Sequence, residues 1–345
     1  MDRETAAVAF LLSVPAQCAA LAAALLLWSP WTRAALACYV LWSLTRDSGT
    51  PYRGGRVVEW ARRLGVWRAA AAYFPLAVHT TTPPLSTAAG GPVVLAAHPH
   101  GVLSLSVVLA FVLRAARGDD ALAGLDWRVG TVTANTALPL WRDLLMAMGF
   151  VNAHRGSLDH CLRSGLSVVL VPGGAREALH AHPGRADLVL ACRKGFVKLA
   201  LAHGARLVPV FCFGETELYS LAPSPAWLQD ALMRLLGFSL PLAYGRGCCS
   251  RRAAGPLPRR VPLNIVVGAP LALPVLPNPT AAQLDVYHAQ YVAALRALYD
   301  AHAPRFCPQQ QQLDAAAGVE AQPRGGACGE SSHSSPPLPS LTVVQ

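Results

Sequence analysis

Residues 5–32 run without a single charged side chain, and a second apolar run, 34–44, follows Ser29-Pro30-Trp31-Thr32-Arg33. The first run exceeds the ~20 apolar residues a helix needs to cross the hydrocarbon of a bilayer. Pro30 disfavours one continuous helix, so the pattern predicts one span with an interfacial piece or a helical hairpin. Trp28, Trp31, Tyr39 and Trp42 resemble interface anchors. Asp2-Arg3-Glu4 is a poor positive n-region, which disfavours a cleaved signal peptide. Arg46, Arg53, Arg56, Arg62, Arg63 and Arg68 crowd the far side, which places that side in the cytosol. Trp60, Leu64, Trp67 and Ala71 fall at helical spacing with the arginines largely on other faces. Such a helix lies in the headgroup layer or covers a domain.

Beyond residue 90 short apolar runs alternate with helical patterns. Strands are predicted at 93–97, 128–133, 167–171, 207–211 and 264–267, and helices at 102–117, 195–203 and 281–302. That alternation predicts an α/β fold, a mostly parallel sheet with flanking helices. From about residue 308 the chain turns to Gln, Gly, Ser and Pro clusters and reads as disordered. The predicted units are a membrane anchor at 1–45, an interfacial connector at 46–90, an α/β domain at 91–307 and a disordered tail at 308–345.

Composition sharpens this reading. Only 14% of the 345 residues are charged against 53% hydrophobic, below the roughly 25% charged of ordinary soluble domains. The net charge of +10 suits an anionic ligand or membrane surface. No basic run with interleaved aromatics favours nucleic acid. The nine cysteines form no C-x-x-C pair and no disulfide-like spacing, so reduced thiols facing the cytosol are expected.

His98-Pro99-His100-Gly101 ends the 93–97 strand just before a helix. Open α/β sheets place their sites at such strand ends. A histidine there can serve as a general base, and a helix N-terminus favours its neutral form. Pro172-Gly173-Gly174-Ala175-Arg176-Glu177 follows another strand. Free backbone N–H groups at Gly101, Gly173 or Gly174 could face an oxyanion, and Glu177 could orient a histidine. Arg193 and Lys194 stand before a helix, suited either to a phosphorylated ligand or to a solvated basic face. G-x-S-x-G, H-E-x-x-H and phosphate-loop patterns do not occur, and no metal site is expected.

These motifs, with Tyr73-Phe74-Pro75, Arg193-Lys194-Gly195-Phe196, Val208-Pro209-Val210-Phe211, Phe213-Gly214-Glu215 and Gly268-Ala269-Pro270-Leu271, occur in the order seen in type-two diacylglycerol acyltransferases. The chain resembles that family over about residues 48–306. The 173–179 and 237–242 runs look closest to its monoacylglycerol branch. The resemblance implies a glycerolipid-acyltransferase-like fold in the endoplasmic reticulum membrane or on lipid droplets, with a cytosolic catalytic domain. It implies transfer of a fatty acyl group from acyl-CoA, a co-substrate, to a mono- or diacylglycerol, with no cofactor and no metal. A wax alcohol acyltransferase and a weakly active lipid-binding protein are the alternatives, and a homo-oligomer stays open. The histidine motif is carried over to His98 and His100, with His100 the first choice as base. Related glycerol-phosphate acyltransferases use H-x-x-x-x-D, but here Leu103 and Leu105 stand five beyond the histidines, so Glu177 becomes the candidate orienter. Arg193, Lys194 and Arg155 are assigned to acyl-CoA.

Overall fold

In the computed structural model the described residues are 2–83, 85–87, 90–113, 122, 124–225, 227, 229, 231, 241–247, 253–307 and 341–344. The apolar N-terminus forms two helices, α1 (Arg3–Trp28) and α2 (Pro30–Thr45). Ser29 separates them: its hydroxyl accepts from the Thr32 N–H while Pro30 opens α2, where a missing N–H costs nothing. Both helices return to the domain. The Thr5 hydroxyl accepts from Arg246 at 2.7 Å, Glu4 pairs with Arg260, and Phe10 meets Trp67 at 6.3 Å between centroids. On α2 the Tyr39 hydroxyl accepts from the Leu140 N–H at 2.8 Å and donates to Asp143. Between these anchor points Leu27, Trp28 and Trp31 are 83–84% exposed. The pair is therefore a hairpin, and among the described residues α1 alone is a helix long and apolar enough to cross a membrane.

The connector departs from the expected single amphipathic helix. It breaks into α3 (Glu59–Arg62) and α4 (Gly65–Tyr73), because Leu64 adopts extended backbone before Gly65. Trp67 and Ala71 turn inward beneath α1, leaving Trp60 and Leu64 exposed. Arg62 is fully buried and belongs to no headgroup face. Its Nε and Nη2 donate to the carbonyls of Val112 and Phe111 at 2.9 and 3.0 Å, the end of the π-helix Val108–Val112. The expected 102–117 helix starts only at Leu105, since Gly101 and Ser104 hold positive φ; residues 114–117 lie outside the described residues.

The strands are β1 (Leu76–Thr80), β2 (Val93–His98), β3 (Trp127–Thr131), β4 (Phe150–Asn152), β5 (Ser167–Leu170), β6 (Asp187–Val189), β7 (Arg206–Phe213), β8 (Ser220–Leu221), β9 (Ala243–Tyr244), β10 (Leu263–Val267) and β11 (Thr342–Val344). Seven form one sheet in the order β1-β10-β7-β2-β5-β3-β4, parallel except for β10 against β7. Strand β2, buried throughout, lies at the centre. Its Val93, Leu95 and Ala97 join the core beneath α4 and residues 105–113, while Val94 and Ala96 join the core beneath helices Gly195–His203 and Ala281–Phe306. Burial on both faces explains why these strands read as continuous apolar runs.

The tail expected at 308–345 is ordered at its end. Residues 308–340 lie outside the described residues, but β11 pairs in parallel with β6 and Leu341 is buried against the second core. Leu341, Thr342, Val343 and Val344 offer the apolar, β-branched surface an edge strand takes up.

Candidate active site

Because β7, β2 and β5 are parallel neighbours, their carboxyl ends lie side by side, roughly 4.8 Å apart. Three loops meet there: Gly214-Glu215 after β7, His98 to Gly101 from β2, and Pro172-Gly173-Gly174 after β5.

The two histidines face different surroundings. His98 points to the same side as Val94 and Ala96, where its Nε2 lies 3.0 Å from the Tyr291 hydroxyl. That hydroxyl donates its only hydrogen to the Ala96 carbonyl at 3.1 Å, so His98 carries its proton on Nε2 and donates it to Tyr291. Burial drives its pKa down to about 3, and its buried Nδ1 has no hydrogen-bond partner among the described residues. His98 is thus a neutral donor within the protein.

His100 is half-buried, and its Nδ1 lies 3.0 Å from the Gly101 carbonyl, which can only accept. The proton therefore sits on Nδ1 and the Nε2 lone pair is free. Burial lowers its pKa, partly opposed by that hydrogen bond, which keeps the ring neutral and proton-accepting. Both Ser104 groups hold its carbonyl, the amide at 3.1 Å and the hydroxyl at 2.9 Å.

Glu177 comes to the same place from the short helix Gly174–Ala178. No hydrogen bond joins it to the imidazole among the described residues. Its Oε1 accepts from the His100 N–H and its Oε2 from the Val189 N–H at 2.9 Å, so it orients the backbone of the turn. Burial raises its pKa to about 7, against the pull of these two bonds and of the Arg193 charge. Gly173 is required here, since a Cβ would lie 2.0 Å from Glu177 Oε2.

The oxyanion donors divide. The Gly174 N–H is spent on the Val171 carbonyl at 3.2 Å, which removes it from the expected set. The Gly101 and Gly173 N–H groups have no partner among the described residues. The basic residues divide too. Arg193, its Nε buried without a partner, is close enough to Glu177 to lower that group's pKa. Lys194 instead pairs with Asp285 at 2.5 Å on the helix Ala281–Phe306. Arg155 is exposed at the start of the helix after β4, a strand separated from β2 by β5 and β3 in the sheet. No cluster of three potential metal ligands occurs among the described residues.

Sequence reasoning assigned no role to Glu215 or Tyr291. Glu215 stood in view within Phe213-Gly214-Glu215, where a carboxylate directly after an apolar strand was the available signal. Tyr291 lies 193 residues from His98, and nothing in the chain announces their contact.

A family model described as "Diacylglycerol acyltransferase" matches residues 25–315. The chain belongs to that family. This acyltransferase is 36% identical over 293 residues to the diacylglycerol O-acyltransferase 2 of Rattus norvegicus, covering 82% of this chain and 74% of that one. It is 37% identical over 274 residues to the 2-acylglycerol O-acyltransferase 3 of Homo sapiens, covering 76% and 79%. Identity thus does not separate the two acceptors that these names carry. A solved 1-acyl-sn-glycerophosphate acyltransferase, PlsC of Thermotoga maritima, covers 78% of this chain and 89% of its own at 12% identity and a TM-score of 0.42, too loose a likeness to decide the fold.

Proposed function

We propose that the acyltransferase moves a fatty acyl group from acyl-CoA to the free hydroxyl of a mono- or diacylglycerol, at the cytosolic face of the endoplasmic reticulum or a lipid droplet. The observation that carries this reading is the neutral His100, its Nδ1–H held by Gly101 and its Nε2 open at the carboxyl edge of the sheet. Nε2 removes the acceptor's hydroxyl proton as the oxygen attacks the thioester carbonyl. The Gly101 and Gly173 N–H groups receive the oxyanion, a contribution of about 3 kcal/mol per donor in other enzymes. Collapse of the tetrahedral intermediate breaks the C–S bond, and the departing CoA sulfur takes the proton back from Nε2. The acylglycerol leaves with one more acyl group than it brought and CoA leaves as thiol, so the step balances with acyl-CoA as co-substrate and no cofactor. Arg193 meets the CoA phosphates, and the exposed tip of the hairpin seats the domain where an uncharged acylglycerol is dissolved.

Microsomes carrying the full chain, offered acyl-CoA with monoacylglycerol, diacylglycerol or fatty alcohol, test this. Acylglycerol products are expected, and His100→Ala should lower turnover by about 10²–10⁴-fold with membrane association retained. Near-parental turnover in that variant would remove His100 as the base.

A further inference from the structure

The segment after His100 begins with three consecutive turn residues, 101–103, and the Ser104 side chain makes no capping hydrogen bond to the short helix that follows. What holds it comes from β7. Gly214, at φ 93°, turns the chain where a Cβ would lie 2.2 Å from the Pro262 carbonyl oxygen, and Glu215 follows, 2% exposed. Its Oε1 accepts from the Leu105 N–H at 3.0 Å, and its Oε2 from the Ser106 N–H at 2.7 Å and the Ser106 hydroxyl at 2.5 Å. The same side chain fills the space beside Gly101, whose Cβ position lies 2.5 Å from Glu215 Cγ. All these partners are neutral donors, and no Lys or Arg pairs with Glu215 among the described residues. Burying a carboxylate without a cation is costly, and an apolar side chain would serve stability alone as well or better.

We propose that Glu215 is a positioning residue for acyl transfer: from β7 it fixes the 101–106 turn and so the reach of His100 Nε2 toward the acceptor hydroxyl. Glu177 fixes the other end of that turn from the β5 side, through the His100 N–H. Two carboxylates from the segments that follow the strands flanking β2 therefore grip one catalytic turn. Glu215 is buried and its bonds go to residues 105 and 106, so its loss is expected to move the base and leave the binding contacts in place. The inference rests on the acyl-transfer reading above.

The test uses the full chain in microsomes, with kcat and KM measured for acyl-CoA and for acylglycerol. A parent that transfers no acyl group overturns that reading and this one with it. With an active parent, Glu215→Gln places an amide NH2 against backbone N–H groups that can only donate, where the carboxylate accepted from them. It should lower kcat by about 10- to 100-fold, the cost of moving a reacting group by about an ångström, with both KM values within about two-fold. Ser106→Ala deletes one donor and keeps the fold; it should lower kcat by about three-fold or more, again with KM steady. Parental kcat in Glu215→Gln overturns the proposal. If Glu215→Gln loses expression and protease resistance while Ser106→Ala keeps parental kcat, the role is structural and the proposal also falls.

Discussion

His98 and His100 share one turn, yet their protons sit on opposite nitrogens. Tyr291 spends its hydrogen on Ala96 and leaves His98 to donate from Nε2, while Gly101 draws the His100 proton to Nδ1 and frees Nε2. Glu177 adds a pH signature at the same scale. Its folded pKa of about 7 stands above the ordinary 4.5, so between those values the folded state binds more protons than the unfolded one. Acidification through that window should therefore stabilise the parent relative to Glu177→Gln, by up to about 3 kcal/mol, with no further change above about pH 7 or below about 4.5. Thermal unfolding of the two solubilised proteins at about pH 8 and about pH 5 measures this. An equal difference at both pH values would show that Glu177 is not buried as an acid.

The connection between β6 and the helix Gly195–His203 carries two adjacent cations with different partners. The Arg193 charge lowers the pKa of Glu177, whereas the Lys194 ammonium is engaged by Asp285 of the C-terminal helix. Arg193→Ala should accordingly raise KM for acyl-CoA about ten-fold or more, as expected for a charge-assisted phosphate contact of about 1.5–3 kcal/mol. Lys194→Ala should change it less. Initial rates against acyl-CoA at fixed acylglycerol separate the two; equal effects would mean that Lys194 leaves Asp285 to bind the ligand. The C-terminal helix thus has two duties that its own pattern does not display, holding Lys194 by Asp285 and setting the His98 tautomer by Tyr291.

Across the whole molecule, the hairpin proposed to seat the domain in the membrane is also part of its core. Ala7 and Val8 are buried with Trp67 and Tyr73, while Leu26, Leu27, Trp28 and Trp31 project from the far end. Deleting residues 1–44 should therefore loosen the domain as well as its membrane attachment. Trp28→Ser with Trp31→Ser should weaken attachment alone, because these rings touch no core. Liposome flotation paired with thermal unfolding checks this: a truncated protein as stable as the parent would show that α1 contributes nothing to the core.

Strand positions were legible because β2, β5, β7 and β10 are buried on both faces over most of their length and so appear as largely apolar runs. The His98-to-Gly101 and Gly173-Gly174 turns were legible for the same reason, as polar or glycine residues directly after such runs. Local pattern also separated α1 from α2 at Pro30. Tertiary structure alone decided what each polar group meets. A carboxylate's partner is fixed by which strands lie beside it, so Glu215 reaches Ser106 only because β7 borders β2. Arg62 looked like a headgroup cation until its guanidinium reached the carbonyls of Phe111 and Val112, some 50 residues on in sequence. Burial and proton position depend on atoms brought together from distant parts of the chain, whereas strand and turn propensities are set by near neighbours, and that difference in range divides what the sequence determined from what the fold decided.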